Sequence, residues 1–448
     1  MKRRKFLATI FCLAVATTVI GGKAAAKEPA VEEAVDVSEV WSGHRVGFFL
    51  LTEGERQYAF FYDAQRRMTA AMRKLSSSEW EYHRPGSNLG WDSHNYVTAA
   101  IDSEGYIHLS GNMHCVPLIY FRTKKPYDIG SFERVANMVG REEKRCTYPK
   151  FFRGAKDELI FTYRDGGSGN GNQIYNVYDV KSKTWRRLLD VPLTDGQGKM
   201  NAYISGPVRG PDGYFHICWV WRDTPNCYTN HDLSYARSRD MVHWETAGGQ
   251  QITLPMTVET EGIIVDAVPV KGGMINGNTK IGFDSKGRPI ISFHKFDKDG
   301  MTQVYNARFE ERRWKIYQAS DWDYRWFFEG GGTIHFEIRV SGVVLNEDGS
   351  LTQSYQHDKY GSGTWALDEK TMKVMGKVEK ARLWPRELGR AESDFAGIQV
   401  KWQADAGESG EDDVRYWLRW ETLGVNRDRG REKVPEPSML RVYKLKYG

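Results

Sequence analysis

The sequence has little of what builds helical, disulfide-bonded or nucleic-acid-binding proteins. Long amphipathic helical patterns are nearly absent, which disfavours a helical fold. The 448 residues include only five cysteines, too few for a disulfide scaffold in a chain of this length. The formal net charge is only +5 and no block of like charge occurs, so nucleic acid is not an expected partner.

Aromatic residues and glycines are plentiful instead. Aromatics make up 13% of the chain and there are 45 glycines, a combination that favours many short strands joined by tight turns. We therefore predict an all-β protein whose exposed aromatic rings suit sugars. The mild positive excess favours a polyanionic substrate that carries carboxylates or sulfates, although an ordinary solvated surface would have the same charge.

The N-terminal residues have the pattern of a secretory signal peptide over residues 1–26. Residues 2–5 are basic, residues 6–20 are apolar, and residues 24–26 are three alanines that suit cleavage. An uncleaved membrane anchor is the alternative, but the apolar run is short for one. We predict export to the periplasm or the cell exterior, no membrane association after cleavage, and a short acidic tether over residues 27–40.

A repeating pattern begins near residue 41. A strand ends in an Asp/Gly turn, two further strands follow, and a tryptophan closes the unit. Four such turns are predicted, at residues 102–105, 212–213, 284–287 and 348–349. Seven such units follow one another at a spacing typical of propeller blades. This pattern predicts a single seven-bladed β-propeller over residues 41–448, with blades at residues 44–85, 94–139, 148–188, 203–247, 278–317, 333–374 and 396–445.

Residues 94–114 are predicted to form one β-hairpin with a histidine at each outer end. The turn lies at residues 102–105, where Gly105 provides a positive φ angle. The ends of an antiparallel hairpin lie side by side, so His94 and His114 should be neighbours in space. Two adjacent imidazoles can act as acid, base or ligand, whereas a single histidine at a strand end is more often a surface residue.

Three more stretches place polar residues where a predicted strand meets a loop. The first contains residues 147–149 and, further on, Tyr163 and Arg164 before a glycine-rich loop, although Tyr163 could instead pack in a blade and Arg164 could pair with Asp165. The second contains residues 201–203. In the third, Arg222 ends a buried strand and needs a carboxylate partner, which could be internal, from Asp223 or Asp232, or belong to a substrate. The candidate substrate-binding residues are Asn95, Arg164, Asn201, Tyr203 and Tyr235.

A zinc site is a further possibility in the fourth unit. His216 and Cys218 lie on the same face of one strand because strand side chains alternate, and Cys227 and His231 follow in the next loop. The spacing matches no standard zinc pattern, so a buried thiol or a Cys218–Cys227 disulfide is an equal alternative.

Several strings resemble those of the bacterial-neuraminidase-repeat propellers that include the ulvan lyases. They are "HNYVTAAIDSEGYIHLSGNMH", "TYPKFF", "FTYRDGGSGNGN", "NAY" and "WRDTPNCYTNHDLSYARSRD", and the resemblance is strongest over residues 41–320. It implies a seven-bladed propeller and a polysaccharide lyase acting on a sulfated polysaccharide that contains uronic acid. It also implies a structural zinc, for which His216, Cys227 and His231 are the candidate ligands, and no organic cofactor.

The resemblance assigns roles to four residues in a β-elimination. His94 and His114 match the two family histidines, Tyr163 matches the family tyrosine, and Arg222 matches the arginine that binds the uronate carboxylate. Arg222 would neutralise the carboxylate, His94 would be the base, Tyr163 the acid or both base and acid, and His114 would orient the sugar. We expect a monomer with an anionic polysaccharide as its partner. The alternatives are a glycoside hydrolase of the sialidase type and a non-catalytic glycan-binding propeller.

Overall fold

The computed structural model describes residues 28–448, and this part of the chain is all-β, as predicted. Its only helical segments are three short 3-10 turns, at Ile129–Ser131, Cys227–Thr229 and Glu387–Gly389. No helix within these residues is long and apolar enough to cross a membrane. The predicted signal peptide over residues 1–26 lies outside the described residues.

Within the described residues, thirty-two strands follow one another, mostly as antiparallel hairpins. In chain order they are β1 (Ala30–Val40), β2 (Phe49–Glu53), β3 (Arg56–Tyr62), β4 (Met68–Lys74), β5 (Glu81–His83), β6 (Val97–Ile101), β7 (Ile107–Gly111), β8 (His114–Val116), β9 (Tyr120–Thr123), β10 (Phe132–Arg134), β11 (Cys146–Arg153), β12 (Leu159–Gly167), β13 (Asn170–Asp179), β14 (Thr184–Arg187), β15 (Asn201–Arg209), β16 (Phe215–Arg222), β17 (Asn230–Ser238), β18 (Trp244–Glu245), β19 (Gln251–Ile252), β20 (Ile264–Asp266), β21 (Lys280–Phe283), β22 (Pro289–Phe296), β23 (Thr302–Glu310), β24 (Arg313–Gln318), β25 (Ile338–Val340), β26 (Val344–Leu345), β27 (Leu351–His357), β28 (Gly361–Leu367), β29 (Val374–Val378), β30 (Ile398–Ala404), β31 (Val414–Leu423) and β32 (Ser438–Lys446).

The described strands form six sheets. Four of them have four strands each, in the orders β2-β3-β4-β5, β6-β7-β9-β10, β21-β22-β23-β24 and β30-β31-β32-β1, and a fifth contains β25 to β29. The sixth has eleven strands and contains β8 and β11 to β20. Within it, two sets of consecutive antiparallel strands, β11 to β14 and β15 to β18, are joined by one parallel contact, at Gly171 and Asn201. The first strands of neighbouring sets lie side by side, since β2 contacts β6, β6 contacts β11, and β15 contacts β21.

The two ends of the described chain lie in one sheet. β1 pairs with β32 along its length, from Ala30 opposite Lys446 to Val40 opposite Ser438. Val35, Val37 and Val40 are buried against the neighbouring strands. The prediction of a tether over residues 27–40 is therefore wrong from Ala30 onward. The acidic residues of this stretch conceal a strand that is apolar on one face only.

The four predicted Asp/Gly turns are all present. At the first, the Asp102 Oδ1 accepts hydrogen bonds from the backbone amides of Glu104 and Tyr106 at 2.9 and 3.0 Å. Gly105 has a φ of 88°, a left-handed conformation that glycine adopts without steric cost. The glycines of the other three turns, Gly213, Gly287 and Gly349, also have positive φ angles.

Aromatic side chains fill the space between neighbouring sheets. Phe48, just before β2, stacks on Trp420 of β31 with ring centroids 4.7 Å apart, which joins the first sheet to the last. Between β9 and β11 to β14, a second cluster contains Tyr120, Phe161 and Trp185. Large aromatic rings stabilise such contacts through both buried area and ring geometry.

Shortening a buried valine of β1 should destabilise the whole protein. We predict that Val37→Ala, at a side chain that is 4% exposed, lowers the free energy of unfolding by about 1–3 kcal/mol because it leaves a cavity in the core. The matched control is Val31→Ala, on the same strand at a side chain that is 42% exposed, which should change stability little. Urea denaturation measures both, and equal stabilities for the two variants would mean that β1 is not part of the cooperative fold.

Candidate active site

A cavity of about 820 Å³ lies where the first strands of several sets converge. Its catalytically capable side chains come from parts of the chain that are far apart in sequence, and none of the described residues lining the cavity is Asp or Glu. The polar residues around it include His94, Tyr96, His114, Tyr148, Lys150, Tyr203, Arg222, Asn276, Lys280 and Thr333. A cavity with this lining attracts anions.

The structure brings His94 and His114 together at the open end of the β6–β7 hairpin, with ring centroids 4.3 Å apart. Asp92 links them. Its Oδ1 is 2.6 Å from the His94 Nδ1, and its Oδ2 forms a short hydrogen bond with the His114 Nδ1. An ionised carboxylate accepts the Nδ1 protons, so each neutral ring keeps its Nε2 as a proton acceptor.

Asp92 is held in its ionised form. Burial opposes ionisation, but the hydrogen bonds from His114 and His94 outweigh it and keep the pKa of Asp92 well below its usual range. One ligand atom from each of Asp92, His94 and His114 lies within 4.8 Å of the other two, so this trio could also hold a metal ion.

Tyr148 lies directly against the histidine pair. Its ring centroid is 5.6 Å from that of His94 and 6.4 Å from that of His114. The register of β11 against β12 shifts between Thr147 and Lys150, and Tyr148 has a φ of 59°. Pro149 cannot donate to the ladder, which favours such a bulge, and the bulge directs the phenol into the cavity. Burial, reinforced by Tyr203, raises the pKa of Tyr148, so the phenol is protonated at neutral pH.

Two arginines lie close to this phenol. Arg222 lines the cavity, and its guanidinium donates to the backbone carbonyls of Thr224 and Pro225 and lies 3.4 Å from the Tyr203 hydroxyl. Arg164 is almost completely buried, with its guanidinium carbon 5.0 Å from the centre of the Tyr148 ring. The Nε and one terminal nitrogen of Arg164 have no hydrogen-bond partner.

Tyr163 is not in the cavity, and the prediction that it is the catalytic acid is wrong. Along β12, residues 162 and 164 face one side and residues 161 and 163 the other, because strand side chains alternate. Tyr163 is 0% exposed, and its hydroxyl accepts a hydrogen bond from Arg187. The phenol next to the histidines is that of Tyr148, which belongs to a neighbouring strand.

Only Tyr203 of the predicted substrate-binding residues lines the cavity. Tyr203 lines the cavity, and its hydroxyl is 2.8 Å from that of Ser168. Asn201 is buried and accepts a hydrogen bond from the Gly169 amide, so it supports the glycine-rich loop. Tyr235 and Asn95 do not line the cavity, and the prediction that they contact the substrate finds no support. The Tyr235 hydroxyl binds His216 in the core, and the backbone carbonyl oxygen of Asn95 accepts a hydrogen bond from the Tyr62 hydroxyl.

His216, Cys227 and His231 do not converge, so the predicted zinc ligand set is wrong. In the β16–β17 register His216 lies opposite Arg237, whereas His231 lies opposite Trp221 at the other end of the hairpin. His216 bonds Tyr235 and Asp212, and His231 bonds Asp223 and Asp232. Cys115, Cys146, Cys218 and Cys227 are all free thiols, which also excludes the Cys218–Cys227 disulfide.

Sequence reasoning missed Asp92, and it singled out the stretch that contains Tyr148 without giving that residue a role. Asp92 stands two residues before His94, a spacing that lets its carboxylate bond both the backbone amide and the ring of His94. The Tyr148–Pro149 pair was the available signal for Tyr148, since a proline inside a strand marks an edge or a bulge. The local sequence does not determine the direction in which a bulge points the preceding side chain.

The fold and the cavity define an all-β repeat protein whose functional side chains come from successive hairpin sets. The model of the BNR repeat-containing family matches residues 56–322, more than half of the chain. The protein belongs to this family.

Curated relatives with sequence similarity are ulvan lyases. The short isoform from Alteromonas sp. (strain LOR) is 29% identical over 125 residues, which are 26% of this chain and 24% of that protein. A PL25 ulvan lyase from Pseudoalteromonas sp. (strain PLSV) is 22% identical over 279 residues, which are 52% of this chain and 54% of that protein. The chain thus matches between a quarter and about half of the length of these two relatives.

Solved structures show the same fold at low sequence identity. The crystal structure of the polysaccharide lyase Uly1 aligns with a TM-score of 0.62 at 12% identity, covering 93% of this chain and all of that one. A PL25 ulvan lyase bound to -[GlcA(1-4)Rha3S]- aligns with a TM-score of 0.59 at 13% identity, covering 93% and 96%.

Asp92→Asn should destabilise the protein at neutral pH and change its acid response. Because the folded pKa of Asp92 lies below its unfolded value of about 3.9, its stabilising effect is complete above that pH and is lost as the pH falls further. We expect the free energy of unfolding to fall by about 1.5–3 kcal/mol at pH 7, the usual range for hydrogen bonds to a charged group. Urea denaturation at neutral pH and below pH 4 measures the loss.

The control for this prediction is Asp299→Asn, at an exposed carboxylate paired with Lys298. It should leave stability at neutral pH nearly unchanged. The difference in free energy of unfolding between Asp92→Asn and the unmodified protein should become smaller as the pH falls below about 4. A difference that does not change with pH would contradict an ionised Asp92.

Proposed function

We propose that the protein is a polysaccharide lyase that cleaves a sulfated, uronic-acid-containing polysaccharide by β-elimination. The observation that carries this proposal is the content of the cavity. Two imidazoles, a phenol and an arginine without a carboxylate partner meet there, and no Asp or Glu is among the described residues that line the cavity.

The proposal includes a seven-bladed β-propeller as the scaffold. Five of the six sheets supply one blade each, and the eleven-stranded sheet supplies two, β11 to β14 and β15 to β18. In this arrangement β1 completes the last blade, formed with β30 to β32. Pairing the two chain ends in one blade closes such a ring without an exposed sheet edge.

Arg222 suits the uronate carboxylate. The two predicted internal partners, Asp223 and Asp232, both bond His231, at 2.9 Å each. Arg222 forms no ion pair among the described residues and bonds only neutral acceptors. A guanidinium that is charged, partly buried and unpaired has its strongest available partner in a carboxylate of the substrate.

His94 and Tyr148 suit the two proton transfers of the reaction. The Nε2 of His94 removes the C5 proton, the C4–O4 bond breaks, and a C4–C5 double bond forms. The protonated phenol of Tyr148 gives its proton to the departing O4, and its raised pKa keeps that proton available at neutral pH. Asp92 stabilises the imidazolium that His94 becomes.

Arg164 would support Tyr148 from behind. Its buried guanidinium lies over both the Tyr148 and the Tyr203 rings, at 5.0 and 5.7 Å. A fixed positive charge at this place stabilises the negative charge that develops on the phenol oxygen as it loses its proton. Arg164 is therefore a positioning and electrostatic residue rather than a ligand of the substrate.

The relatives support the substrate class. Both curated relatives described above are ulvan lyases, and one similar structure holds a disaccharide of glucuronic acid and sulfated rhamnose. The described residues that line the cavity of this protein include Lys150, Arg222 and Lys280 and no Asp or Glu. Export through residues 1–26 would place the enzyme where such polymers occur. A sialidase-type hydrolase needs paired carboxylates, or a Tyr/Glu nucleophile with an arginine cluster. It is disfavoured because Arg222 is the single arginine among the described lining residues.

Removing either proton-transfer group should nearly abolish elimination. We predict that His94→Ala and Tyr148→Phe each lower the rate of formation of unsaturated product by on the order of 10²–10⁴. The measurement is ultraviolet absorbance of the new double bond on a panel of uronic-acid polysaccharides. Tyr163→Phe is the matched control, since it removes a phenol hydroxyl outside the cavity and should retain activity. Full activity of Tyr148→Phe together with loss in Tyr163→Phe would reverse the assignment.

Arg222→Lys should weaken catalysis through the substrate carboxylate. Lysine keeps the charge but loses the bidentate geometry, and we expect kcat/KM to fall by about 10–100-fold, as expected for one charge-assisted hydrogen bond. A substrate whose carboxyl groups have been reduced should not be cleaved by either protein. The control Arg239→Lys changes an arginine that lies over Tyr214, away from the cavity. An unchanged kcat/KM in Arg222→Lys would exclude the carboxylate role.

A further inference from the structure

The cavity continues beyond the candidate catalytic residues along the first strands of the later sets. Lys150 of β11 and Lys280 of β21 both line it, and the lining extends to Gly342, just after β25. Neither lysine takes part in the proton transfers proposed above. The cavity therefore has a second basic region, which is distinct from His94 and Tyr148.

Three further cations adjoin this region. Arg339 lies on β25, Lys401 on β30, and Arg45 shortly before β2, so each belongs to or directly precedes the first strand of a different set. The Arg339 guanidinium lies 4.9 Å from the centre of the Phe336 ring, which lines the cavity, and β30, the strand of Lys401, contacts β2. The electrostatic effects of Arg339 on Lys280 and Lys401, and of Arg45 on Arg339 and Lys401, agree with this placement. Together with Lys150, these side chains form what we name the basic channel: Arg45, Lys150, Lys280, Arg339 and Lys401.

None of the basic-channel residues forms an ion pair with another residue of the described chain. The Lys150 and Lys280 Nζ atoms donate to the backbone carbonyls of Gly206 and Gly277, at 3.1 and 2.8 Å. Lys401 donates to the Gln399 side-chain oxygen at 2.7 Å. These acceptors are neutral, so they satisfy hydrogen bonds without cancelling charge.

The two arginines are equally unpaired. The Arg339 guanidinium lies over the Phe336 ring at 4.9 Å. The carboxylate of Asp358 acts on Arg339 only at longer range, because its own hydrogen bond is to His335. No hydrogen bond or ion pair holds the side chain of Arg45 within residues 28–448.

The five charged side chains differ in their exposure. Lys280, Arg339 and Lys401 are partly buried, whereas Arg45 and Lys150 are exposed to solvent. Burial, with repulsion from Arg45 and Arg339, lowers the pKa of Lys401 to about 8. Neighbouring like charges without carboxylate partners repel one another, and an anion would relieve that repulsion.

We propose that the basic channel is an oxyanion-binding site that takes up sulfate groups next to the catalytic cavity. The ligand chemistry is a compact oxyanion, either free sulfate or a sulfate ester on the polysaccharide. For the ester the proposal rests on the proposed function and specifies it, because a substituent of the bound chain would occupy the channel while its uronate lies at Arg222. The binding of free sulfate does not depend on lyase activity.

Binding of free sulfate is tested with the double variant Lys280→Gln/Lys401→Gln and sodium sulfate. Isothermal titration calorimetry should show saturable binding of sulfate to the unmodified protein and a loss of at least about tenfold in affinity in the variant, since two charged partners are removed. The control Lys181→Gln/Lys298→Gln removes two lysines outside the channel and should bind sulfate like the unmodified protein. Absence of saturable binding, or equal binding by the two double variants, would overturn the proposal.

Thermal unfolding provides a second readout that also reveals a folding defect. In sodium chloride the Lys280→Gln/Lys401→Gln variant should unfold at the same or a higher temperature than the unmodified protein, because like-charge repulsion has been removed. Replacing chloride by sulfate at equal ionic strength stabilises most proteins somewhat. The unfolding temperature of the unmodified protein should rise more than that of the variant, because specific binding of sulfate adds to the general effect. Equal gains would contradict a specific site.

The sulfate-ester source is separated by using polymer that is not cut. His94→Ala protein is titrated with ulvan oligosaccharides before and after chemical removal of their sulfates. Sulfated oligosaccharides should bind more tightly, and the Lys280→Gln/Lys401→Gln changes added to His94→Ala should remove that advantage. If sulfation makes no difference while free sulfate still binds, the channel takes up the free ion only. If the proposed lyase activity is absent, the free-sulfate titration still decides the oxyanion site.

Discussion

The pairing of β1 with β32 is the constraint on which the rest of the structure depends. It ties the beginning of the described chain to its end within one sheet, and Leu440 and Val442 of β32 share one buried core with Val37 and Val40 of β1. Without β1, the edge of β32 would be unpaired and its backbone groups exposed. The strands that converge on the cavity are held in place by this arrangement rather than by local contacts alone.

Within that frame, the site is built at the beginnings of first strands. His94 precedes β6, Tyr148 follows the start of β11, and Tyr203 follows the start of β15. A strand start can depart from regular pairing without disrupting the sheet, and the bulge before Lys150 does so. The positive φ of Tyr148 is strained for a bulky residue, and such strain persists where the surrounding structure fixes the side chain for a purpose.

The sequence was sufficient for those features that depend on local patterns. The all-β class, the four Asp/Gly turns and the proximity of His94 to His114 follow from alternation, turn chemistry and hairpin geometry. Features that depend on which way a strand faces were not accessible. Tyr163 and Arg164 are adjacent in sequence, yet their side chains point to opposite sides of β12, and only the pairing of that strand shows which side is the cavity.

The same limit explains the zinc prediction. His216, Cys227 and His231 are close in sequence, but a hairpin register separates the two histidines by most of its length. Short sequence distance indicates proximity across a turn and not along a strand, where each residue adds about 3.3 Å. His94 and His114 have a similar separation in sequence, but they flank the two open ends of one hairpin, which strand pairing brings together.

The distribution of charge separates function from stability in this molecule. Most buried cations of the described chain have carboxylate partners, as Arg73 has Glu33 and Arg419 has Glu421. The cations around the cavity do not, although carboxylates such as Asp223 lie nearby and bond histidine instead. Unpaired enclosed charge destabilises a folded protein, so its concentration in one cavity is not explained by folding. It is explained if the missing negative charges arrive with a ligand that carries them at sugar-length intervals.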